Sequence, residues 1–398
     1  MEILLLFPVL FGNLYFLISA FAVRRLFCSV PEIVPKDFHP PSAGVSLILP
    51  LKGAPRALEE TLRRLCSLDY PSFQILVAVE RGDLAAFPAV EQIKKEFPGT
   101  DLEVAYAAEG KWPNPKEANH AGALKRAKHS WIVLLDGDTM VAPDYLKRVL
   151  APLRDPAVGL VTCPYRCREP RGFWAVLESL YIQTCYNPAM LLRAWAAPVD
   201  FGLGATLAVK RDLLERLGGF EALADCIHSD FRLAEKIKRL GFQVQLLPYW
   251  IDIEMDRYGW SAYLAHQIRW VRTMRFTTPG GYLGMILTHG VTWAAVYALF
   301  APPAFGGAAL LVTAANRVAT AAWIGSGNYH PYFRAWLPLI PLHDLWNSLV
   351  WILGWTGGTV SWGGRKFQLG AGGRILGVET PPKISVKANV LHDGVSAA

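Results

Sequence analysis

The chain has 398 residues, of which 52% are hydrophobic and 18% are charged, and its formal net charge is +7. This length is enough for one domain of about 200–250 residues plus further elements. Apolar residues are concentrated before residue 24 and after residue 283, so a more polar middle lies between two apolar ends. The basic residues flank these ends without forming a dense tract, which argues against nucleic acid as a partner and indicates a membrane surface.

Residues 1–25 predict an N-terminal transmembrane anchor. Before Arg24 and Arg25 the only side chain that is charged at neutral pH is that of Glu2, and a helix of this length can cross about 30 Å of hydrocarbon. The alternative is a cleaved signal peptide, but no basic region precedes the apolar run and no small-residue cleavage site follows it. The two arginines after the span predict a cytoplasmic middle domain. The proline-rich residues 26–44 predict a linker.

Residues 45–280 predict an α/β domain. Short apolar runs alternate with helical patterns, and we expect strands at 45–49, 74–79, 102–105 and 131–135, with helices near 58–68, 88–97 and 117–128. This alternation predicts a parallel sheet covered on both faces, with ligands bound beyond the carboxyl ends of its strands. The aromatic segment 173–195 predicts a long helix, which lies either in the core or in the membrane surface. The six cysteines lack metal-binding or redox spacing and predict free thiols in a reducing compartment.

Residues 283–357 predict C-terminal membrane segments. Three apolar stretches follow one another, at 283–300, 305–324 and 336–355. The third contains His343 and Asp344, so it is the weakest span, either re-entrant or packed against the other two. Residues 358–398 predict a C-terminal tail.

A pair of carboxylates follows the strand expected at 131–135. Asp136 and Asp138, separated by one glycine, lie at its carboxyl end. Carboxylate oxygens suit Mg²⁺ or Mn²⁺, and such a cation would balance the charge of a departing nucleoside diphosphate. Strand context favours a metal site, and the alternative is a solvated turn.

Three further positions have both a functional and a local interpretation. Asp83 follows the strand at 74–79, where it would face a nucleoside or serve as an ordinary loop acid. Asp230 stands at the start of a helical pattern. It is either the N-cap of that helix or a general base that takes the proton of an acceptor hydroxyl, and the local sequence favours the N-cap. Arg269 and Trp270 would contact a diphosphate and stack on a sugar or acceptor, or would mark a membrane boundary.

In this order the features resemble ceramide glucosyltransferases of glycosyltransferase family 21, which are similar to family 2, and bacterial hopanoid-biosynthesis glycosyltransferases. The resemblance extends from about residue 45 to residue 362. The segments that carry it are Leu-Pro-Leu-Lys-Gly at 49–53, Leu-Asp-Tyr-Pro at 68–71, Asn-Pro-Lys at 114–116, Pro-Tyr at 164–165, Gly-Gly-Phe at 218–220, Ile-Arg-Trp at 268–270 and Val-Ser-Trp at 360–362.

The resemblance implies a GT-A type nucleotide-sugar-binding domain with N- and C-terminal transmembrane helices. It also implies a multi-pass protein of the bacterial inner membrane that uses Mg²⁺ or Mn²⁺. The implied reaction is inverting transfer of glucose or N-acetylglucosamine from a UDP-sugar to a lipid hydroxyl, such as that of ceramide or a hopanoid. The alternatives are a processive polysaccharide synthase, which would carry more spans, and a catalytically inactive membrane scaffold or small transporter.

The family pattern has three aspartates followed by a Gln/Arg-x-x-Arg-Trp motif. By this resemblance Asp83 lies near the uridine, Asp138 forms the metal and diphosphate site with Asp136, and Asp230 is the catalytic base.

The resemblance also assigns residues outside the three aspartates. Lys116 would lie near the donor, and Arg269 and Trp270 match the last motif. Two departures from the pattern are His266 at the Gln/Arg position and Ser229 where glutamate is common before the third aspartate.

Overall fold

The structure is a computed structural model that describes residues 2–28 and 44–379. Its first element is an apolar helix, α1 (Glu2–Cys28), which continues past the anchor boundary expected at residue 25. The predicted linker at 26–44 therefore begins later than expected, and residues 29–43 of it lie outside the described residues.

The middle domain is built from ten strands and nine helices of the described chain. Its strands are β1 (Val45–Pro50), β2 (Phe73–Val79), β3 (Asp101–Tyr106), β4 (Trp131–Leu135), β5 (Thr139–Met140), β6 (Val158–Thr162), β7 (Tyr165–Cys167), β8 (Thr206–Lys210), β9 (Gln243–Leu246) and β10 (Ile251–Ile253). Its helices are α2 (Leu58–Cys66), α3 (Phe87–Glu96), α4 (Pro115–Leu124), α5 (Tyr145–Leu150), α6 (Phe173–Tyr181), α7 (Asn187–Ala196), α8 (Arg211–Arg216), α9 (Ser229–Arg239) and α10 (Trp260–Thr277).

Seven strands form one sheet in the order β3-β2-β1-β4-β8-β6-β9. The four strands expected from the sequence are confirmed as β1 to β4, and they pair in parallel. The prediction of a wholly parallel sheet is wrong, because β8 runs antiparallel to both β4 and β6. The chain enters β8 at the edge where β4 ends, since Thr206 pairs with Leu135. This reversal brings the residues before β8 to the carboxyl end of β4.

A second, three-stranded sheet of order β5-β10-β7 lies beside that edge. Strand β10 pairs antiparallel with β5 and parallel with β7. The backbone N–H of Glu254 donates to the carbonyl oxygen of Asp138 at 3.0 Å. The small sheet therefore fixes the backbone of the turn that carries the second predicted metal ligand.

The predicted helix at 173–195 is continuous but contains a π-helical turn (Ile182–Tyr186) between α6 and α7. Residues Ala175 to Tyr181 of α6 are buried, as the core interpretation requires. Near the end of α7, Trp195 is exposed and packs edge-on against Phe21 of α1, with ring centroids 5.8 Å apart. The segment thus joins the α/β domain to the apolar helices.

The apolar C-terminal region contains α11 (Pro279–Gly284), α12 (Gly290–Phe300), α13 (Pro303–Gly325) and α14 (Ile340–Gly354), with 3₁₀ turns at Met285–Thr288 and Pro331–Leu339. Helices α1 and α13 are long and apolar enough to cross a membrane. The segments Pro279–Thr288 and Gly290–Phe300 meet at 56° and supply a third crossing if they act as one bent span. Helix α14 has 15 residues, fewer than the about 20 that a full crossing needs.

Helix α1 packs against the C-terminal helices through small and amide side chains. A Cβ atom at Gly12 would lie 2.4 Å from Cα of Gly290, so the two backbones are in close contact. The Asn13 side chain donates to Thr313 Oγ1 at 2.8 Å and accepts from Asn316 at 2.8 Å. Small residues and interhelical amide bonds of this kind drive helix association within lipid.

Helices α13 and α14 share a buried ion pair. Arg317 Nε lies 2.7 Å from Asp344 Oδ2, and the two side chains are only 3% and 9% exposed. We predict that Arg317→Met alone lowers the free energy of unfolding by about 3–5 kcal/mol, because it leaves a buried carboxylate without its partner. The double variant Arg317→Met/Asp344→Leu should recover most of that loss. Thermal unfolding in detergent micelles measures the stability of both variants. An equal loss of stability in the single and the double variant would contradict the prediction that the unpaired carboxylate causes the loss.

The prediction of a tail at 358–398 is wrong for its first half. Residues 359–379 form an antiparallel sheet of β11 (Thr359–Trp362), β12 (Arg365–Gly370) and β13 (Arg374–Glu379). Val360, Phe367, Leu369 and Ile375 form a small buried core beneath it. The sheet folds because alternate apolar residues face α10, a period-2 pattern that its glycines obscure. Residues 380–398 lie outside the described residues.

Candidate active site

Two acids that are far apart in the sequence meet at the start of β8. Asp136 follows β4, Asp230 lies in the first turn of α9, and Gly204 is next to β8. A Cβ atom at Gly204 would lie 2.9 Å from Asp230 Oδ2 and 3.8 Å from Asp136 Oδ2. The two carboxylates thus converge on one point, which a larger residue at 204 would obstruct.

Lys116 lies between these acids. Asn114 caps α4 by accepting a hydrogen bond from the Lys116 backbone N–H at 3.0 Å, which fixes the helix start. The Lys116 ammonium donates to Asp136 Oδ1 at 2.7 Å. Although burial disfavours its charge, Asp136 and, more weakly, Asp230 raise the pKa of Lys116. The cleft therefore places an ammonium group beside its acids.

The second carboxylate of the Asp-Gly-Asp sequence is in an unfavourable environment. Burial, and then the negative charge of Asp136, raises the pKa of Asp138 to about 7. A divalent cation between these carboxylates would relieve that repulsion, and oxygen ligands suit Mg²⁺ or Mn²⁺. No group of three or more His, Cys, Asp or Glu residues in residues 2–28 and 44–379 is arranged to hold a metal ion. The residues fit a cation that takes its other ligands from phosphate oxygens and water.

Asp230 is not the N-cap of its helix, so the local interpretation of this residue is wrong. Helix α9 begins at Ser229, His228 takes the cap position, and no side-chain cap bond forms. Asp230 Oδ1 instead lies 3.5 Å from His228 Nε2 and accepts from the Phe231 N–H at 2.9 Å. Because its other oxygen faces Gly204, the carboxylate is available to the cleft.

A buried glutamate contacts Ser229, the residue at which the sequence departs from the family pattern. Glu117 is 1% exposed, and His120 Nδ1 lies 3.3 Å from its carboxylate. Burial opposes its charge, yet His120, Ser229 and Lys116 together lower the pKa of Glu117. A carboxylate thus lies next to Ser229, where the pattern has a glutamate in sequence.

Asp83 is separate from these acids. Its Oδ2 accepts from the Gly53 N–H at 2.7 Å and its Oδ1 from the Ala85 N–H at 3.2 Å. It is not among the residues that line the small pocket around Asp136 and Asp230. Asp83 ties the loop after β1 to the loop after β2, at the same carboxyl edge of the sheet.

Arg269 lies in a half-buried position on α10. Burial lowers the pKa of Arg269, against the attraction of Glu178, Asp136 and Asp230. Its Nε is buried and has no hydrogen-bond partner within the described ranges. A half-buried guanidinium with free donor capacity is suited to an anionic ligand.

The other two residues of the α10 motif, Trp270 and His266, are half-buried and contact side chains of α6. Trp270 stacks on Tyr181 with ring centroids 5.5 Å apart. His266 Nδ1 lies 3.2 Å from the buried carboxylate of Glu178, which also accepts from the Tyr258 hydroxyl at 2.5 Å. His266 therefore stabilises the packing of α6 against α10.

The sequence did not predict that the C-terminal sheet (β11 to β13) forms a wall over the carboxyl edge of the large sheet. The Trp362 ring lies 5.9 Å from the Arg269 guanidinium, and Arg365 Nη2 lies 2.5 Å from Glu80 Oε2. The turn at Gly363 has φ +55° and is close enough to Lys52 for a Cβ atom to lie 3.3 Å from its Cδ. The segment Val-Ser-Trp at 360–362 indicated that this region has a role in the family, but the prediction of a tail at 358–398 assigned it no structure.

A large cavity opens on the membrane side of the site. Its volume is about 420 Å³, and it is bounded by α1, the π-helical turn with α7, and α10, α11, α13 and α14. At one end it is lined by Gly202, His228 and Phe231, which adjoin Asp230. Its wall also includes Tyr181, the ring on which Trp270 stacks. A mostly apolar cavity thus leads from the apolar helices to the candidate base.

The fold agrees with that of a solved enzyme. The chain is similar to the mannosyltransferase PcManGT from Pyrobaculum calidifontis in complex with GDP-Man and Mn²⁺, with a TM-score of 0.51 and 20% identity. The match covers 88% of this chain and 99% of that one. The domain is therefore a GT-A type glycosyltransferase fold, as the resemblance implied.

The family follows from the sequence comparisons. The model of Glycosyl transferase family 21 matches residues 4–375, so the chain belongs to that family. It is 20% identical to Ceramide glucosyltransferase 1 of Caenorhabditis elegans over 87% of this chain and 76% of the relative. It is 24% identical to an N-acetylglucosaminyltransferase of Mesorhizobium japonicum over 64% of this chain and 62% of the relative.

Proposed function

We propose that this glycosyltransferase moves glucose or N-acetylglucosamine from a UDP-sugar to the hydroxyl of a membrane lipid, with inversion at the anomeric carbon. The observation that carries the proposal is the meeting of Asp136, Lys116 and Asp230 around Gly204, beside a cavity that opens among apolar helices. The cleft supplies charge for a diphosphate, and the cavity supplies a route for an apolar acceptor.

Each group in the cleft has a defined task in this proposal. Asp230 removes the proton of the acceptor hydroxyl as its oxygen attacks the anomeric carbon. One base and two substrates fit a single displacement, which inverts the configuration. A divalent cation held by Asp136 and Asp138 would supply charge neutralisation to the departing diphosphate. Lys116 and Arg269 bind its oxygens from the protein side.

The donor nucleoside has a separate position in the proposal. Asp83 orders the loop after β1 through the Gly53 N–H, and the uridine lies against that loop. The hairpin of β11 and β12 then covers the diphosphate, with Trp362 holding Arg269 in place. The acceptor enters from the cavity, and Trp270 shapes its wall through Tyr181.

The proposal places the α/β domain on the cytoplasmic side of a bacterial inner membrane. Arg24 and Arg25 end α1 beside this domain, and basic residues favour that side. The Arg24 side chain donates to the Ser326 carbonyl oxygen just after α13, at 2.7 Å, so the two candidate spans end together.

The decisive test is transfer by the purified protein. The assay combines Mn²⁺ or Mg²⁺ with UDP-glucose, UDP-N-acetylglucosamine or GDP-mannose, and with ceramide or a hopanoid alcohol, and it scores lipid mass. We expect a lipid heavier by one sugar unit with a UDP-sugar, and a β-linkage from the α-linked donor. A ladder of several sugars would favour a processive synthase, and transfer from GDP-mannose alone would contradict the donor assignment.

The wall formed by the C-terminal sheet gives a further prediction. Trp362→Ala removes the ring over the Arg269 guanidinium and should raise the donor KM about 2- to 30-fold, the range of a cation–π contact. The acceptor KM should stay the same. Leu376→Ala is the matched control, because Leu376 is 66% exposed on β13 of the same sheet. An equal effect of both variants would show that the sheet acts only on stability.

A further inference from the structure

His228 is an ionisable residue next to the candidate base, and the proposed chemistry does not use it. It takes the cap position before α9, and its side chain is 29% exposed. Its Nε2 atom lies 3.5 Å from Asp230 Oδ1. The residue also lines the cavity, together with Gly202 and Phe231. The imidazole is therefore in contact both with the base and with the route proposed for the acceptor.

The two ring nitrogens of His228 have different surroundings. Nδ1 is buried and has no hydrogen-bond partner among residues 2–28 and 44–379. One face of the ring stacks on Phe231, with ring centroids 5.3 Å apart. A proton on Nδ1 would be a buried donor without an acceptor, which is unfavourable. A neutral imidazole has one N–H, so its proton belongs on Nε2, the nitrogen near Asp230.

The two oxygens of the Asp230 carboxylate are also in different positions. Oδ1 accepts from the Phe231 N–H at 2.9 Å and is the oxygen near His228. Oδ2 lies next to Gly204, close to the carboxylate of Asp136. Because like charges repel each other, Asp230 needs donors on Oδ1 to keep Oδ2 directed at this point.

The loop that carries His228 is fixed by two other parts of the chain. The side chain of Asn114, at the start of α4, donates to the Cys226 carbonyl oxygen at 2.6 Å. The Ile227 N–H donates to the carbonyl oxygen of Gly373, just before β13, at 3.0 Å. His228 is thus held in place by the fold itself, as a residue that orients a catalytic group must be.

We propose that His228 is a positioning residue, whose Nε2–H donates to Asp230 Oδ1 and leaves Oδ2 as the atom that takes the proton of the acceptor hydroxyl. This inference rests on the proposed function, in which Asp230 is the base. The distance of 3.5 Å is long for a hydrogen bond, and catalytic hydrogen bonds often shorten when substrates bind. Because Nε2 already carries a proton, the ring orients the base and does not receive the proton from it.

The test compares three substitutions of His228. The amide nitrogen of glutamine can occupy the position of Nε2, that of asparagine reaches only the position of Nδ1, and leucine has no donor. We expect His228→Asn and His228→Leu to lower kcat about 10- to 100-fold, the effect of one lost hydrogen bond to a charged group. His228→Gln should keep most of the wild-type kcat. The Kd for UDP, measured by calorimetric titration, should be the same in all of these proteins.

His330→Leu is the matched control. His330 Nε2 lies 3.2 Å from Asp252 Oδ1, so this pair makes the same kind of contact, but neither residue lines the cavity or the pocket around Asp230. This variant should keep the wild-type kcat. An equal loss of kcat in His330→Leu and His228→Leu would overturn the inference, because loss of either histidine–aspartate contact would then have the same effect.

A second measurement does not depend on activity. The ¹⁵N NMR spectrum of histidine-labelled protein at about pH 8, where an ordinary imidazole is neutral, shows which ring nitrogen carries the proton. The spectrum of His228→Gln identifies the signals of His228 by their absence. We expect a proton on Nε2 and none on Nδ1.

The outcomes separate this inference from the proposed function. A proton on Nδ1 would overturn the positioning role, and so would an equal loss of kcat in His228→Gln and His228→Leu, which would indicate that the imidazole receives the proton. Transfer to no lipid by the wild-type protein would contradict the proposed function itself, and the NMR spectrum would still test the position of the proton.

Discussion

Asp230→Asn should lower kcat about 10²- to 10⁴-fold, the contribution of a positioned general base. The amide keeps the size of the side chain but cannot take the acceptor proton. Because the donor contacts involve other residues, UDP affinity should change little. Steady-state kinetics with a UDP-sugar and lipid acceptor measure kcat, and calorimetric titration with UDP measures binding.

The matched control for this variant is Asp212→Asn. Asp212 is exposed in the first turn of α8 and has no contact with the cleft residues in the part of the chain that the structure describes. Its activity should equal that of the wild type. An undiminished rate for Asp230→Asn would contradict the assignment of Asp230 as the general base.

Asp138→Asn should reduce activity at least about 100-fold, because stabilisation of a departing diphosphate by a metal ion is worth several kcal/mol. The variant replaces a carboxylate whose charge is unfavourable until a cation is bound, so the folded protein itself should be no less stable. The Mn²⁺ concentration that gives half-maximal activity should therefore be higher for Asp138→Asn than for the wild type. The melting temperature of the variant without metal should be equal to or above that of the wild type.

Asp69→Asn is the control for metal binding. Asp69 pairs with Lys147 at the surface, with its side chain 72% exposed, and such pairs contribute little. Chelation of the wild-type protein should abolish transfer, and added Mn²⁺ should restore it. Full activity of Asp138→Asn at wild-type metal concentrations would contradict the assignment of this residue as a ligand.

The sequence predicted best those elements that depend only on neighbouring residues in the chain. Strands β1 and β4 are continuous apolar runs, because both faces of the sheet are covered, and that pattern predicts buried strands directly. The position of Asp136 and Asp138 followed from the end of β4. Strand β8 is also largely buried, but its direction depends on the route of the chain through α6 and α7, which no local pattern records.

The site itself needed tertiary information. Local sequence favoured Asp230 as a helix cap, and only its position opposite Gly204 shows the carboxylate facing Asp136. Arg317 was overlooked because one charge within an apolar helix leaves the helical pattern intact, although such a charge is itself a signal. The contact of Trp362 with Arg269 was not predicted, because the strand that carries Trp362 is short, glycine-flanked and stabilised by contact with α10.

After the apolar helices the chain returns to the α/β domain, and this return restricts the number of times that the chain can cross a bilayer. Arg272 of α10 donates to the Thr359 carbonyl oxygen at 2.5 Å, and Arg374 of β13 lies 2.8 Å from Asp225. In a bilayer, the segment between Thr277 and Thr359 would therefore cross an even number of times. If the bent α11–α12 unit acts as one span, it and α13 supply two crossings, and α14 with its 15 residues is too short for a further one. With α1 as one more crossing, that arrangement would put Glu2 and Glu379 on opposite sides of the membrane.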